Sequence, residues 1–158
     1  MSQLQLLSVS DNKEVWLKEL QSTYFKKINH FIKFEIVLVK PYREAREQTQ
    51  DKILKEGLSL LRKIETNDYV VVCDEHGKES SSVQFAKKLE ALTVQVSQRR
   101  IVFIIGGAYG LSDGVKERAQ EKIKLSGMTM NHHMAQAMLL EQIYRAFTII
   151  KGIPYHNV

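Results

Sequence analysis

Hydrophobic and polar positions along the chain follow two periods. Short apolar runs at residues 4–9 (LQLLSV), 34–39 (FEIVLV), 68–74 (DYVVVCD) and 101–105 (IVFII) are rich in β-branched residues and predict strands. The last two are nearly unbroken, as strands covered on both faces require. Between the runs, apolar residues recur three or four apart. Val15, Trp16, Leu20, Tyr24 and Ile28 form one set, Ile53, Leu54, Leu58, Leu61 and Ile64 a second, and Phe85, Leu89, Leu92 and Val96 a third. That spacing gathers each set on one side of a helix and puts Trp16 in the core.

Punctuation between the runs is consistent with this reading. Ser10, Asp11 and Asn12 can cap the first helix, and the serines at 80–82 the third. Pro41 ends the second strand because it cannot donate to a ladder. Residues 43–52 are charged with almost no apolar period and predict a mobile loop or a solvated helix start. Glu75, His76, Gly77 and Lys78 predict a turn. After residue 105 come a glycine turn, a short strand and loop over 122–130, and a long closing helix. Leu139, Leu140, Ile143, Tyr144 and Phe147 make that helix apolar around most of its girth, so it is buried or packs on a second subunit.

Strands alternating with helices predict an α/β fold: a single-domain, parallel-type sheet with flanking helices over residues 1–158. Ligands of such sheets sit beyond the C-terminal ends of the strands. Two turns qualify, at residues 73–78 and 106–110.

Composition adds limits. With 158 residues, 44% apolar and 26% charged, the chain is long and apolar enough for one core without disulfide or metal. Its lone cysteine, Cys73, excludes an intramolecular disulfide and fits a reducing compartment. The first residues lack a signal-peptide pattern, and no apolar stretch nears the ~20 residues of a membrane span, so the expectation is a cytoplasmic protein with no membrane partner. A net charge of +5 permits a polyanionic partner and equally describes a solvated surface.

Candidate chemistry is thin residue by residue. Gly106 and Gly107 follow a buried strand, where missing Cβ atoms let a ligand approach the backbone. Their Gly-Gly-x-x-Gly spacing is neither a dinucleotide fingerprint nor a Walker loop, and a tight structural turn explains it as well. The LSGMTM loop could wrap an aromatic ring or simply connect a strand to a helix. His132 and His133 are adjacent and have no metal-ligand spacing, so no metal is expected. Glu141 and Arg145 have the favourable order for a helical ion pair. Cys73 reads as a buried, inert thiol. Tyr155 and His156 lie in a tail whose default is fraying; ordered over a pocket, the histidine could help move a proton.

Taken together, these stretches resemble the large-subunit pseudouridine N3-methyltransferases, a family of the SPOUT class. The matches are Lys55-Glu56-Gly57; Asp74, Gly77, Lys78, Ser81, Phe85 and Ala86; Ile105-Gly106-Gly107 with Gly110-Leu111; Leu125-Ser126 with Met128-Thr129; His132; the run from Leu140 to Gln142 with Tyr144, Arg145, Ala146 and Phe147; and Pro154-Tyr155-His156. The resemblance covers the full length. It implies an α/β knot with a threaded C-terminal segment, a homodimer with the site at its interface, and S-adenosylmethionine (SAM) as methyl donor to N3 of a pseudouridine in 23S rRNA or the assembled ribosome. It implies SAM contacts at Cys73, Gly106, Leu125, Ser126, Gly127, Met128, Thr129 and Met130. For the N3 proton of such an acceptor the candidate is His156, with Tyr155 positioning the base.

Three positions depart from the family pattern. Cys73 stands where leucine is common, Asn131 replaces a proline, and Gln136 replaces an arginine that could bind RNA phosphate. On Gln136 rests a rival expectation, a SAM-binding RNA- or ribosome-binding protein with little or no turnover.

Overall fold

In the computed structural model, which describes residues 1–44, 46 and 48–157, the four apolar runs are strands and a fifth strand joins them. Ala45, Glu47 and Val158 lie outside the described residues. The order is β1 (Gln3–Val9), α1 (Val15–Asn29), β2 (Lys33–Val39), α2 (Thr49–Leu61), β3 (Tyr69–Glu79), α3 (Ser82–Gln95), β4 (Arg100–Ile105), α4 (Asp113–Arg118), β5 (Glu121–Lys124) and α5 (His132–Ile150). The strands form one sheet in the order β2-β1-β4-β3-β5. Every pairing is parallel, so all five C-terminal ends share one edge.

The alternation of each strand splits the core in two. Leu4, Leu6, Val71, Ile101, Phe103 and Ile105 face α1, α3 and α5. Leu7, Val9, Val70, Val72, Val102 and Ile104 face α2 and α4. Successive side chains of a strand point to opposite faces, so strands covered on both sides must be apolar at every position.

Helix registers depart from the simple stripes. Trp16 is 42% exposed and Val15 more so, while α1 buries Leu17, Gln21 and Ile28. The expectation that Trp16 packs in the core is therefore wrong: the buried line lies one residue further along. On α2, Leu54 and Leu58 are more than half exposed, and Glu56, Gly57 and Leu60 face inward. Gly57 sets that face, because a Cβ there would lie 2.1 Å from the Ser112 hydroxyl oxygen at the start of α4. Gly57 thus lets α2 lie directly on the cap of α4. On α3 the stripe holds: Phe85, Leu89, Leu92 and Val96 are all buried.

Capping differs similarly. Ser81 caps α3 with a reciprocal Gln84 bond. Ser10 and Asp11 do not cap α1; they accept from the Asn12 and Lys13 amides, and Glu14 opens the helix with no side-chain bond. The turn expected at residues 75–78 is a bulge inside β3, since Cys73 and Lys78 both pair with Ile123. Gly77 permits it: a Cβ there would stand 2.4 Å from the Ile123 carbonyl carbon. α4 went unforeseen because it is six residues long and buries only Val115. Among the described residues, no helix is long and apolar enough to cross a membrane.

Candidate functional site

Register places the three expected ligand segments side by side. Val72 pairs with Ile104 and Cys73 with Ile123. Val72 also pairs with Lys122, so Ile104, Val72 and Lys122 share a row just before the C-terminal edge, and beyond Cys73 the bulge sets Lys124 opposite Glu79. Neighbouring strands are about 4.8 Å apart, so the Cys73 exit, the Gly106 turn and the Leu125 loop leave the sheet within roughly 10 Å of one another.

Each segment is shaped by its residues. Gly106 is buried, and a Cβ on it would lie 2.8 Å from the Gly110 carbonyl group. The Gly110 amide donates to the Gly107 carbonyl at 3.2 Å, and Gly110 has φ 90°. The glycines therefore first serve to close this turn on itself. Cys73 is half-buried as a residue, but its thiol lies in apolar surroundings that push it up to about 12. It offers a neutral surface and no nucleophile. Burial alone would raise the carboxyl of neighbouring Asp74, but the His76 amide and Lys116, at 3.3 Å, outweigh it and hold the group below its usual range.

In the loop, Leu125, Ser126 and Met130 are half-buried, and Gly127, Met128 and Thr129 are exposed, Met128 at 82%. Ser126 Oγ accepts from the Met128 amide at 3.0 Å and tightens the loop. Asn131 Oδ1 accepts from the Met134 amide at 2.9 Å, so asparagine caps α5 where proline is usual. Burial, then His133, lowers the His132 pKa, while Asp11 opposes the shift.

Glu56 is a site feature that pattern reading missed. It is only 6% exposed, under the glycine turn, and a Cβ on Gly107 would be 2.8 Å from its Oε2. Burial raises its pKa against the opposing pull of Lys52. Among the described residues, its oxygens accept no hydrogen bond. The signal was present in sequence: an acid inside an apolar helix stripe, directly before the glycine that marks the packed face.

Gln136 is fully buried. Its Nε2 donates to Ser8 Oγ at 3.1 Å, and its Oε1 accepts from Gln21 Nε2 at 2.9 Å. It ties β1, α1 and α5 together inside the fold.

The tail is docked, not frayed. Tyr155 donates its hydroxyl to Glu141 at 2.9 Å, stacks edge-on against Tyr144 and lies under the Arg145 guanidinium at 4.8 Å. Burial and the Glu141 bond push its phenol up to about 12. Glu141 and Arg145 form the expected pair at 2.6 Å. Arg145 Nη1 lies 3.0 Å from His156 Nδ1. Arginine can only donate, so Nδ1 is the acceptor and a neutral ring carries its proton on Nε2. Tyr155 and His156 thus meet each other through α5, at residues 9–13 positions beyond the helix start, about 14–20 Å along its axis from the loop that begins it. The structure brings the three expected ligand segments together and the tail residues together, as two separate groups. Among the described residues, no cluster of three or more His, Cys, Asp or Glu could hold a metal.

Comparison with known proteins covers the whole of this architecture. The family described as predicted SPOUT methyltransferase matches residues 2–156. The chain is 49% identical over 153 residues to a ribosomal RNA large subunit methyltransferase H of Bdellovibrio bacteriovorus, covering 97% of each. It is 38% identical over 158 residues to the protein of that name from Maridesulfovibrio salexigens, covering 100% of each. In fold, it is similar to a probable methyltransferase from Bordetella pertussis, with TM-score 0.58, 11% identity and 92% and 96% of the two chains covered. It is also similar to a tRNA (m1G37) methyltransferase from Aquifex aeolicus, with TM-score 0.55, 12% identity and 98% and 73% coverage.

Proposed function

The chain belongs to the SPOUT methyltransferase family, and from that premise we propose that it transfers a methyl group from SAM to N3 of a pseudouridine in large-subunit ribosomal RNA. The observation that supports this most is the row of Ile104, Val72 and Lys122, which brings three strands side by side just before they leave the sheet at the edge where parallel sheets hold ligands. The segments suit the donor. Cys73 and Leu125 offer neutral, half-buried surface for an adenine ring. Gly106 offers main chain, and Ser126, Gly127, Met128, Thr129 and Met130 form a loop exposed enough to fold over it. When bound, SAM supplies an electrophilic methyl on a positively charged sulfur.

The protein's task is then to hold an imide N–H in line with that methyl and manage its proton. His156 offers Nε2–H while Arg145 holds Nδ1. In this pose it can donate to an imide oxygen as negative charge develops there; to take the N3 proton it must first release Arg145. Tyr155, protonated and fixed by Glu141, supports the base beside it. Within one chain these groups sit far along α5 from the cofactor loop. A homodimer whose partner tail meets that loop would complete the site, and the same premise implies a C-terminal segment threaded through a knot. A ribosomal substrate puts the work in the cytoplasm. Gln136, committed to Ser8 and Gln21, lends no support to a binding protein without turnover.

Incubation with ribosomes and methyl-labelled SAM tests the reading. Label should appear in large-subunit rRNA as N3-methylpseudouridine by mass spectrometry; label that binds protein but never reaches RNA refutes it. His156→Ala should slow transfer at least tenfold with SAM affinity near normal, and unchanged turnover removes His156 from the mechanism.

A further inference from the structure

We propose that Tyr109 and Lys52, beside the Tyr42–Lys55 pair, form a grip for single-stranded RNA on the α2 side of the glycine turn. The proposal rests on the ribosomal RNA reading above and adds where the RNA is held. Tyr109 stands at the tip of the turn, 54% exposed and outside both core clusters. Next to it, Gly110 has nothing within 4 Å of where a Cβ would be, so this side of the turn is open. Lys52 Nζ lies 5.9 Å from the Tyr109 ring centre. Three residues on, Lys55 Nζ lies 4.2 Å from the Tyr42 ring centre and 2.7 Å from its hydroxyl.

Residues three and four apart share a helix face. Lys52, Lys55 and Glu56 therefore form one face of α2. Glu56 descends to Gly107, and the two lysines reach outward to aromatic rings on two different loops. α2 thereby links the loop after β2 to the turn after β4 in one continuous patch. Lysines alone would suit any polyanion. Two rings beside two ammonium groups add π-faces to the charge, and that combination selects unpaired nucleotides over lipid headgroups or acidic protein. Lysine meets phosphate while an exposed ring stacks on a base, next to the edge where the acceptor base must arrive.

Binding of intact ribosomes, measured by co-sedimentation apart from methylation, tests the grip in Tyr109→Ala, Tyr109→Phe and Lys52→Gln. Tyr109→Ala should weaken ribosome binding about tenfold, and Tyr109→Phe should stay near wild type because it keeps the ring. Lys52→Gln should weaken binding and reduce the salt slope by about one. SAM affinity by calorimetry and mass in solution should not move in any of them. Wild-type ribosome binding by Tyr109→Ala overturns the grip. So does a matching loss of SAM affinity or of oligomeric mass, which would assign Tyr109 to the cradle or to a protomer contact. Wild-type protein that neither binds nor labels ribosomes brings down the RNA reading itself and the grip with it, whereas labelling by wild type with an indifferent Tyr109→Ala sinks the grip alone.

Discussion

The two ends of the sheet are built to opposite rules. At the N-terminal edge the buried charge is matched, although Gln5 keeps a buried Oε1 without a partner among the described residues and Gln98 has φ 70°. Asp68 is buried and accepts from the Glu65 amide at 2.7 Å and from Arg100 at 2.6 and 3.0 Å. Arg118 reaches the carbonyls of Glu65, Thr66 and Asp68. The Val70 amide donates to Gln120 at 2.7 Å, and Ser2 to the Thr93 carbonyl at 2.7 Å. A cavity of about 300 Å³ between Thr66, Asp68, Gln95 and Arg99 lies here, but its acid is already committed to Arg100. At the C-terminal edge, among the described residues, Glu56 accepts no hydrogen bond, Asn12 has φ 55° and a buried Oδ1 without a partner, and Met128 and Tyr109 stand in solvent. Buried unmatched polar groups and positive φ at a non-glycine each cost stability. The contrast therefore rests on the two buried acids: Asp68 is bound by Arg100, and Glu56, among the described residues, accepts no hydrogen bond.

The largest effect that sharpens this contrast belongs to the satisfied edge. Asp68→Ala leaves the Arg100 guanidinium beside an empty position and the Glu65 amide without its acceptor. The loss should be about 3 kcal/mol or more, because the remaining partner of a broken buried pair is uncompensated. A chain of this size should then melt about 6–12 °C lower. Methyl transfer per folded molecule should be unchanged. A variant that melts normally but loses transfer would assign chemistry to the wrong edge.

A middle-sized effect belongs to the other end. In Gly107→Ala the new methyl would stand 2.8 Å from Glu56 Oε2 and 3.1 Å from Val9 Cγ1. The carboxylate can swing aside, so the stability cost should be about 1–2 kcal/mol, the lower part of the overpacking range. The turn that carries Gly106 would shift with it, and SAM affinity should fall more than stability does. Calorimetric titration beside a melting curve separates the two, and a normal affinity in a destabilised variant would make the turn purely structural.

Sequence pattern reached the strands better than the helix faces. The runs at 4–9, 34–39 and 101–105 match strands within a residue, because a short, mostly apolar run suits a strand both when it is covered on both faces, as β4 is, and when it lies at the sheet edge, as β2 does. Trp16, Leu54 and Leu58 misled because spacing alone cannot say which side of a helix faces inward when apolar residues occur on two. Gly57 and Gln21 decide it here by what they lie against, Ser112 and Gln136. The same limit hid Glu56, whose significance comes from Gly107, about a third of the chain away. The expectation of cofactor segments came only through the family resemblance, since Gly106 and the LSGMTM loop have bland local explanations. Placing them side by side needed the β3–β4–β5 register, and separating them from Tyr155 and His156 needed the docking of the tail on Glu141 and Arg145.

The smallest and most discriminating effect is a gain. Burial raises the Glu56 carboxyl pKa from its ordinary 4.5. An acid raised on folding favours the native state only while it is protonated, so this contribution is present below the ordinary value and is lost as pH rises through the folded one. At pH 7 Glu56 is held ionised, or pays to be protonated, in an apolar site. Glu56→Gln keeps the shape and removes the charge. It should raise the melting temperature at pH 7 by a few degrees, and the difference from wild type should shrink steadily as the pH is lowered towards 4. Parallel melts of the two proteins across that range would show it. A glutamine variant that melts lower at pH 7, or a difference that grows on acidification, would mean Glu56 is a satisfied structural group, and the contrast between the two edges would fail at its central residue.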